Sequence, residues 1–175
     1  MRRLILALFV LFVLFSRSTY AETSGFKYGK EAVAAREAYF KAPQKQALIL
    51  IETVYEYDGH VAPDVSKEIT LSMRSGDSSN TANTRTPVAI VIPMSMFEEA
   101  GASIMKLPVA DRDAAWLLVP PMTVSVVAQS RDRICGLKGT VYYEGKEIMV
   151  NNSSVGYGIV DIAYNLPLKE YFKSK

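Results

Sequence analysis

Side chains that could perform chemistry are few in this chain, and their spacing matches no catalytic motif. There is one histidine, His60, close to Asp58 and Asp64, and one cysteine, Cys135. A serine or cysteine nucleophile needs a general base, so a catalytic triad could be built only on His60. Asp58, His60 and Asp64 could loosely hold a divalent cation, although a lone His among turn-forming Asp and Gly is typical of a solvated loop. We therefore predict no catalytic residues and no cofactor, and leave metal binding open.

Two further sets of residues offer weaker chemistry. Glu52, Glu56 and Asp58 could act as paired acids in hydrolysis, but alternating acids on a strand face are usually solvated. Thioether ligands for Cu(I) could come from Met94, Met96, Met105 and Met122. Methionine more often fills gaps in a core, and no His or Cys is spaced to complete such a site.

Cys135 has three possible roles. The cations Arg131, Arg133 and Lys138 lie nearby in sequence and could make its thiol reactive. Alternation along the strand places Cys135 on one face with Leu137, as expected for a small buried apolar residue. In an oxidising compartment the alternative is a disulfide between two chains, and hence a homodimer.

The first 21 residues predict a cleavable export signal. Arg2 and Arg3 precede a run of 12 apolar residues, and small or polar residues follow as far as Ala21. The apolar run is about 18 Å long as a helix, too short to cross a bilayer core of about 30 Å comfortably. We therefore expect an exported protein, in a bacterial periplasm or otherwise secreted, with one globular domain over residues 22–175.

Charge excludes two classes of partner. The signal contains three arginines and no acid, so its removal changes 20 Lys and Arg to 17, against 18 Asp and Glu, a net charge of −1. No basic cluster remains to bind nucleic acid or an anionic membrane. No later apolar run is long enough for a membrane anchor, so we expect the mature chain to be soluble.

Hydrophobic periodicity predicts a mainly β (α+β) fold. Residues 27–41 read as an amphipathic helix with Ala32, Ala35 and Tyr39 on one stripe. Residues 95–98 spell a capping box for a short middle helix at 96–100 that ends at Gly101. Period-two alternation or β-branched runs predict strands at residues 46–57, 65–73, 87–92, 114–119, 122–128, 137–144, 146–150 and 155–164. A last helical turn is expected at 168–173.

The connections between these strands predict the architecture. We expect strands 46–57 and 65–73 to form an antiparallel hairpin, and Glu144-Gly145 to form a tight turn. Residues 74–86 have no apolar residue larger than Ala, which predicts a long loop. Because strands and helices do not alternate, seven to eight strands should form an antiparallel sandwich or partial barrel flanked by the N-terminal helix.

Ten tyrosines make a binding surface the favoured function. Tyr55, Tyr57, Tyr142 and Tyr143 fall on predicted strands, and tyrosine is enriched at interfaces. We predict a non-catalytic accessory protein that binds a protein or peptide through a sheet face or edge. The alternative is a small-molecule or metal-binding protein with a cavity inside a partial barrel. Asn151 and Asn152 begin overlapping N-x-S sequences, which would matter only in a eukaryotic secretory pathway.

Overall fold

The computed structural model describes residues 27–55, 61–62, 65–75, 78–118, 122–131, 135–153 and 158–173. The predicted export signal lies outside these residues, as do Glu56, Tyr57, Asp58, His60 and Asp64. Their predicted roles therefore remain predictions.

The described residues form ten strands, which pair antiparallel in two sheets. The strands are β1 (Lys27–Tyr28), β2 (Gln46–Tyr55), β3 (Val61–Ala62), β4 (Glu68–Ser75), β5 (Ser78–Arg85), β6 (Val88–Pro93), β7 (Thr123–Ser130), β8 (Cys135–Tyr143), β9 (Lys146–Asn152) and β10 (Ile159–Asn165). The helices are α1 (Lys30–Lys41), α2 (Glu98–Met105), α3 (Val109–Leu118) and α4 (Leu168–Lys173), with a 3-10 turn at Met94–Phe97 before α2.

The two sheets form a sandwich, as the alternation predicted. The six-stranded sheet has the order β1-β6-β2-β8-β9 with β3 beside β2, and the four-stranded sheet has the order β10-β7-β4-β5. The predicted count of seven to eight strands was too low, and the described strands do not close into a barrel. Two of the additional strands contain only two residues each and carry no readable period.

The main core lies between the sheets. Alternate residues of each strand point inward, so Ile49 and Ile51 of β2 face Leu71 of β4 and Val126 of β7, all buried. Ile162 of β10 joins the same cluster. Removing such side chains from water is the main driving force for folding. The interior of the sandwich is therefore filled by side chains.

A second, smaller core lies on the outer face of the six-stranded sheet. Helix α1 places Ala32 and Tyr39 against Leu48 and Leu50 of β2 and Ala89 of β6, and all five residues are buried. This confirms the predicted stripe on α1 and explains why β2 is apolar on both faces at its start. The helix ends at Lys41, before Pro43, as predicted.

Several expected elements proved wrong. Residues 78–85 were expected to lie in a loop but form strand β5. Main-chain pairing with β4 holds them in a strand, although their sequence has no apolar alternation that would predict one. Of residues 114–119, expected to be a strand, residues 114–118 belong to helix α3, in which Trp116 is buried against Phe172 while Leu117 is 81% exposed. Residue 119 lies outside the described residues. A short apolar run cannot distinguish a strand from a helix.

The expected hairpin of residues 46–57 and 65–73 was also wrong. β2 pairs with β6 and β8, and β4 lies in the other sheet, so the two strands meet face to face rather than edge to edge. The middle helix is longer than expected and continues through Gly101. A Cβ atom at Gly101 would overlap the ring of Phe172, so the ring occupies the place of a side chain.

The hairpin of β8 and β9 agrees with the sequence. Glu144 and Gly145 form its turn with positive φ angles of 49° and 78°, the geometry of a type I′ turn. β10 (Ile159–Asn165) falls on the strand predicted at 155–164, of which residues 155–157 lie outside the described residues, and α4 occupies its predicted position at 168–173.

Gly139 provides a test of how closely the two sheets approach beside β10. A Cβ atom there would lie 2.5 Å from Ile162 Cδ1 and 3.3 Å from Ile51 Cδ1. We expect Gly139→Ala to lower the free energy of unfolding by about 1–3 kcal/mol through overpacking. Ile162→Val removes the clashing methyl, so the double variant should lose less than the sum of the two single variants in urea unfolding. Strict additivity would contradict the close approach.

Tyr164 provides a test of the buried aromatic cluster. Burial, with smaller contributions from Tyr143, Tyr39 and Glu170, raises the pKa of its phenol to about 12. The phenol of the unfolded chain titrates near pH 10, so this stability is fully present below about pH 10 and is lost as the pH rises towards 12. We expect a loss of about 2 kcal/mol over that range in urea unfolding, and a smaller loss in Tyr164→Phe. An equal pH dependence in the two proteins would contradict the assignment.

Candidate functional site

Of the four tyrosines predicted as a possible interaction surface, the adjacent pair Tyr142 and Tyr143 lies on opposite faces of the sheet. Tyr142 points to the outer face, where its ring meets Phe40 edge-on with centroids 5.0 Å apart. Tyr143 points inward and packs against the main core. Both side chains are half-buried, and burial raises the pKa of both phenols. Tyr55 ends β2 opposite Cys135, and the interface role of these residues stays a prediction.

The other candidate groups are largely engaged in packing. Met94 is buried in the main core, and Met96, Met105 and Met122 pack against it. Among the residues that the structure describes, no three His, Cys, Asp or Glu side chains come together as a metal site. The Asn151 amide donates a 2.6 Å hydrogen bond to the main-chain oxygen of Asp161.

Glu52 is buried, contrary to the expectation of a solvated acid. It is 6% exposed and accepts a 3.1 Å hydrogen bond from Nη1 of Arg36, which reaches across from α1. The pair neutralises a charge that would be costly to bury alone. The ion pair therefore holds α1 against the sheet. Glu56 and Asp58, the other two acids considered for hydrolysis, lie outside the described residues.

The four sheet edges differ in how they are protected. β1 has only two residues, and β9 contains a bulge and begins with the charged pair Lys146 and Glu147. β10 lies against β8 and β9, where Asn151 binds its main chain. Short length, bulges, charges and cover are the devices by which native proteins block unwanted strand pairing.

β5 lacks those protections. It is the last strand of its sheet and pairs with β4 over all eight residues without a bulge. Residues 79–84 contain neither a charge nor a proline. Among the described strands, none pairs with its second edge. β5 therefore presents a long, regular row of main-chain donors and acceptors.

A groove accompanies this edge, where the sandwich is open between β5 and β1. Its volume is about 410 Å³. We call it the edge groove, and it is lined chiefly by Tyr28, Leu71, Asn80, Ala82, Thr84 and Val88. The floor is apolar, and small neutral side chains form the β5 wall. Tyr28, which forms the opposite wall, is 58% exposed. The one cation at the groove, Arg85, is held 3.2 Å from Glu68.

A hydrogen-bonded corner lies between Arg85 and Val88, two residues that line the edge groove. The chain passes from β5 to β6 through Thr86 and Pro87, and Thr86 is fully buried. The Thr86 hydroxyl donates to the main-chain oxygen of Val65 at 3.1 Å and accepts the N–H of Lys67 at 2.9 Å. It also lies 2.7 Å from the hydroxyl of Thr53. The corner thus joins both sheets and fixes where β5 ends.

Sequence reasoning missed β5, the edge groove and Tyr28. The only signal for β5 was its β-branched threonines, Thr81 and Thr84, because neither face of an exposed edge strand needs apolar residues. Neither a family model nor any curated protein sequence matches the chain. No described helix has the length and apolar character needed to span a membrane.

Thr86→Val tests the corner. The substitution keeps the shape of the side chain but removes the buried hydroxyl that accepts from the Lys67 N–H and donates to the Val65 oxygen, so we expect a loss of about 1–3 kcal/mol. The matched control is Thr70→Val, which removes a hydroxyl bound to Asn83 on the solvent face of the four-stranded sheet. This change should leave the free energy of unfolding nearly unchanged. Thermal or urea unfolding measures both. Equal losses of stability in the two variants would show that the buried hydrogen bonds of Thr86 contribute no more than an exposed one.

Proposed function

We propose that the chain is an exported, non-catalytic accessory protein that binds an extended polypeptide segment along the free edge of β5. The observation that carries this proposal is the unprotected edge itself, eight residues long and in regular register with β4. The predicted signal at residues 1–21 supports export, to a bacterial periplasm or the outside of the cell.

Strand addition supplies affinity and specificity by separate means. The main chain of the partner would continue the four-stranded sheet by hydrogen bonding to β5. Alternate partner side chains would then point into the edge groove, towards Leu71 and Val88, while those between them face solvent. The apolar floor favours a segment with apolar residues at every second position.

The charges around the edge groove favour a neutral partner segment. Asn80, Ala82 and Thr84 carry no charge, and the Arg85 guanidinium is already paired with Glu68. A chain with a mature net charge of −1 has no general field to attract a strongly charged partner. Recognition would depend on main-chain pairing and shape.

The second candidate is a small-molecule binder that uses the same groove. A volume of about 410 Å³ lies within the range of ligand pockets, and an exposed Tyr28 ring beside Asn80 offers stacking and hydrogen bonding. The described residues between the two sheets form one cluster of buried side chains, so we place a ligand at the edge groove and not in a central cavity of the kind expected of a partial barrel.

The test uses an eight-residue peptide of alternating Val and Thr, matched in length to β5, with a scrambled peptide of the same composition as control. We also use two versions N-methylated at every second amide, in opposite phase. One edge of a strand uses only alternate amides, so one phase should abolish binding and the other should retain it. Fluorescence anisotropy measures binding to the purified chain beginning at Glu22, which contains every described residue.

Matched lysine variants locate the site. Ala82→Lys places a charge in the groove wall and should weaken peptide binding about tenfold or more, or about 1.4 kcal/mol. Ala163→Lys makes the same change at an exposed position on β10 and should leave binding unchanged. Equal binding by both N-methylated peptides would rule out strand addition. Chemical-shift changes at Tyr28 and Ala82 with aromatic alcohols and amides, without peptide binding, would favour the small-molecule alternative.

A further inference from the structure

We propose that the partner best suited to the β5 edge is β5 of a second copy of this chain, paired antiparallel about Ala82. The inference rests on the proposed strand-binding edge and names an occupant for it. An antiparallel pair of identical strands forms a twofold, closed interface in which each contact occurs twice. The result would be a continuous eight-stranded sheet made from two four-stranded sheets.

The register follows from the residues on each face of β5. Asn80, Ala82 and Thr84 lie opposite Met73, Leu71 and Ile69 in the pairing with β4 and so share the inward face. In a register centred on Ala82, Asn80 of one copy meets Thr84 of the second, and Ala82 meets Ala82. Each hydroxyl thus meets an amide, and the smallest side chain lies on the axis.

The outward face is equally self-complementary. In the same register Thr81 meets Asn83 of the second copy, and Arg85 meets Ser79, so no like charges are opposed. The chain already uses this chemistry, since Thr70 donates to Asn83 Oδ1 at 3.2 Å. Because that bond occupies only the Asn83 oxygen, its amide N–H groups are available to Thr81 of the second copy.

Neighbouring registers lose this match. A register centred on Thr81 sets Asn80 against Ala82, which leaves the carboxamide opposite a methyl group. A register centred on Asn83 sets Thr81 against Arg85 and Ala82 against Thr84. Registers centred between residues would pair an inward side chain with an outward one, which the pleat forbids in a continuous sheet. Only the register centred on Ala82 satisfies both faces.

Self-pairing and partner binding would then exclude each other. One edge accepts one strand, so a bound peptide must separate the two copies. The apparent affinity for the alternating Val-Thr peptide should fall as protein concentration rises. Dimerisation would also cover the aggregation-prone edge until a partner strand arrives.

Cysteine cross-linking tests the register. In a Cys135→Ser background, Ala82→Cys places two thiols directly opposite, with Cα atoms about 4.5–5.5 Å apart, which suits a disulfide. Asn80→Cys alone leaves its thiols four residues apart, about 13 Å, and should not cross-link. A mixture of Asn80→Cys with Thr84→Cys should cross-link. Ala163→Cys, exposed on β10, is the control that stays monomeric.

Sedimentation of the native sequence from Glu22, with reducing agent and at micromolar to millimolar concentration, completes the test. We expect a reversible dimer that the Val-Thr peptide dissociates, and a dissociation constant about tenfold higher or more in Ala82→Lys, because two ammonium groups would meet on the axis. A monomer at all concentrations, a dimer lost on reduction, or cross-linking of Ala163→Cys equal to that of Ala82→Cys overturns the dimer. If peptides still bind, the proposed function stands; if they do not, both fail.

Discussion

The chain passes from β5 in one sheet to β6 in the other at Thr86, and a network of hydrogen bonds to the buried Thr86 hydroxyl stabilises this crossing. The Thr86 hydroxyl contacts Thr53 in the six-stranded sheet and the main chain of residues 65–67, which lead into β4. The chain thus passes directly from β5, the last strand of the four-stranded sheet, to β6 in the six-stranded sheet. The free edge of β5 and the edge groove lie beside this crossing, since Arg85 and Val88 on either side of it both line the groove.

The sequence predicted the elements that depend on a buried face and missed those that do not. Alternation at Ile69, Leu71 and Met73 identified β4, and the stripe of Ala32 and Tyr39 identified α1, because each must cover a core. β5 has no such face, so its pairing with β4, and not a hydrophobic pattern, makes it a strand. Tertiary contacts also decided α3, whose apolar run packs Trp116 on Phe172 and would have suited a strand equally well.

The candidate site could not be read from residue types because its chemistry lies in the main chain. Motif reasoning looks for unusual side chains, whereas β5 is notable for lacking the Lys residues of β1 and β9 and the bulge of β9. Tyr142 and Tyr143 were predicted as interface residues, and as neighbours on one strand their rings lie on opposite faces of the sheet. Tyr28, which does line the edge groove, lies on a two-residue strand that no pattern predicts.

Residue-resolved amide hydrogen exchange along β5 tests the central claim most directly. Every second amide faces β4 and should be protected, while the amides between them face the free edge and should exchange quickly in dilute solution. Adding a strand, whether a peptide or a second copy at high concentration, should protect that second set alone. Uniform protection of β5 in dilute solution, or no change in the fast set on adding a strand, would contradict the account.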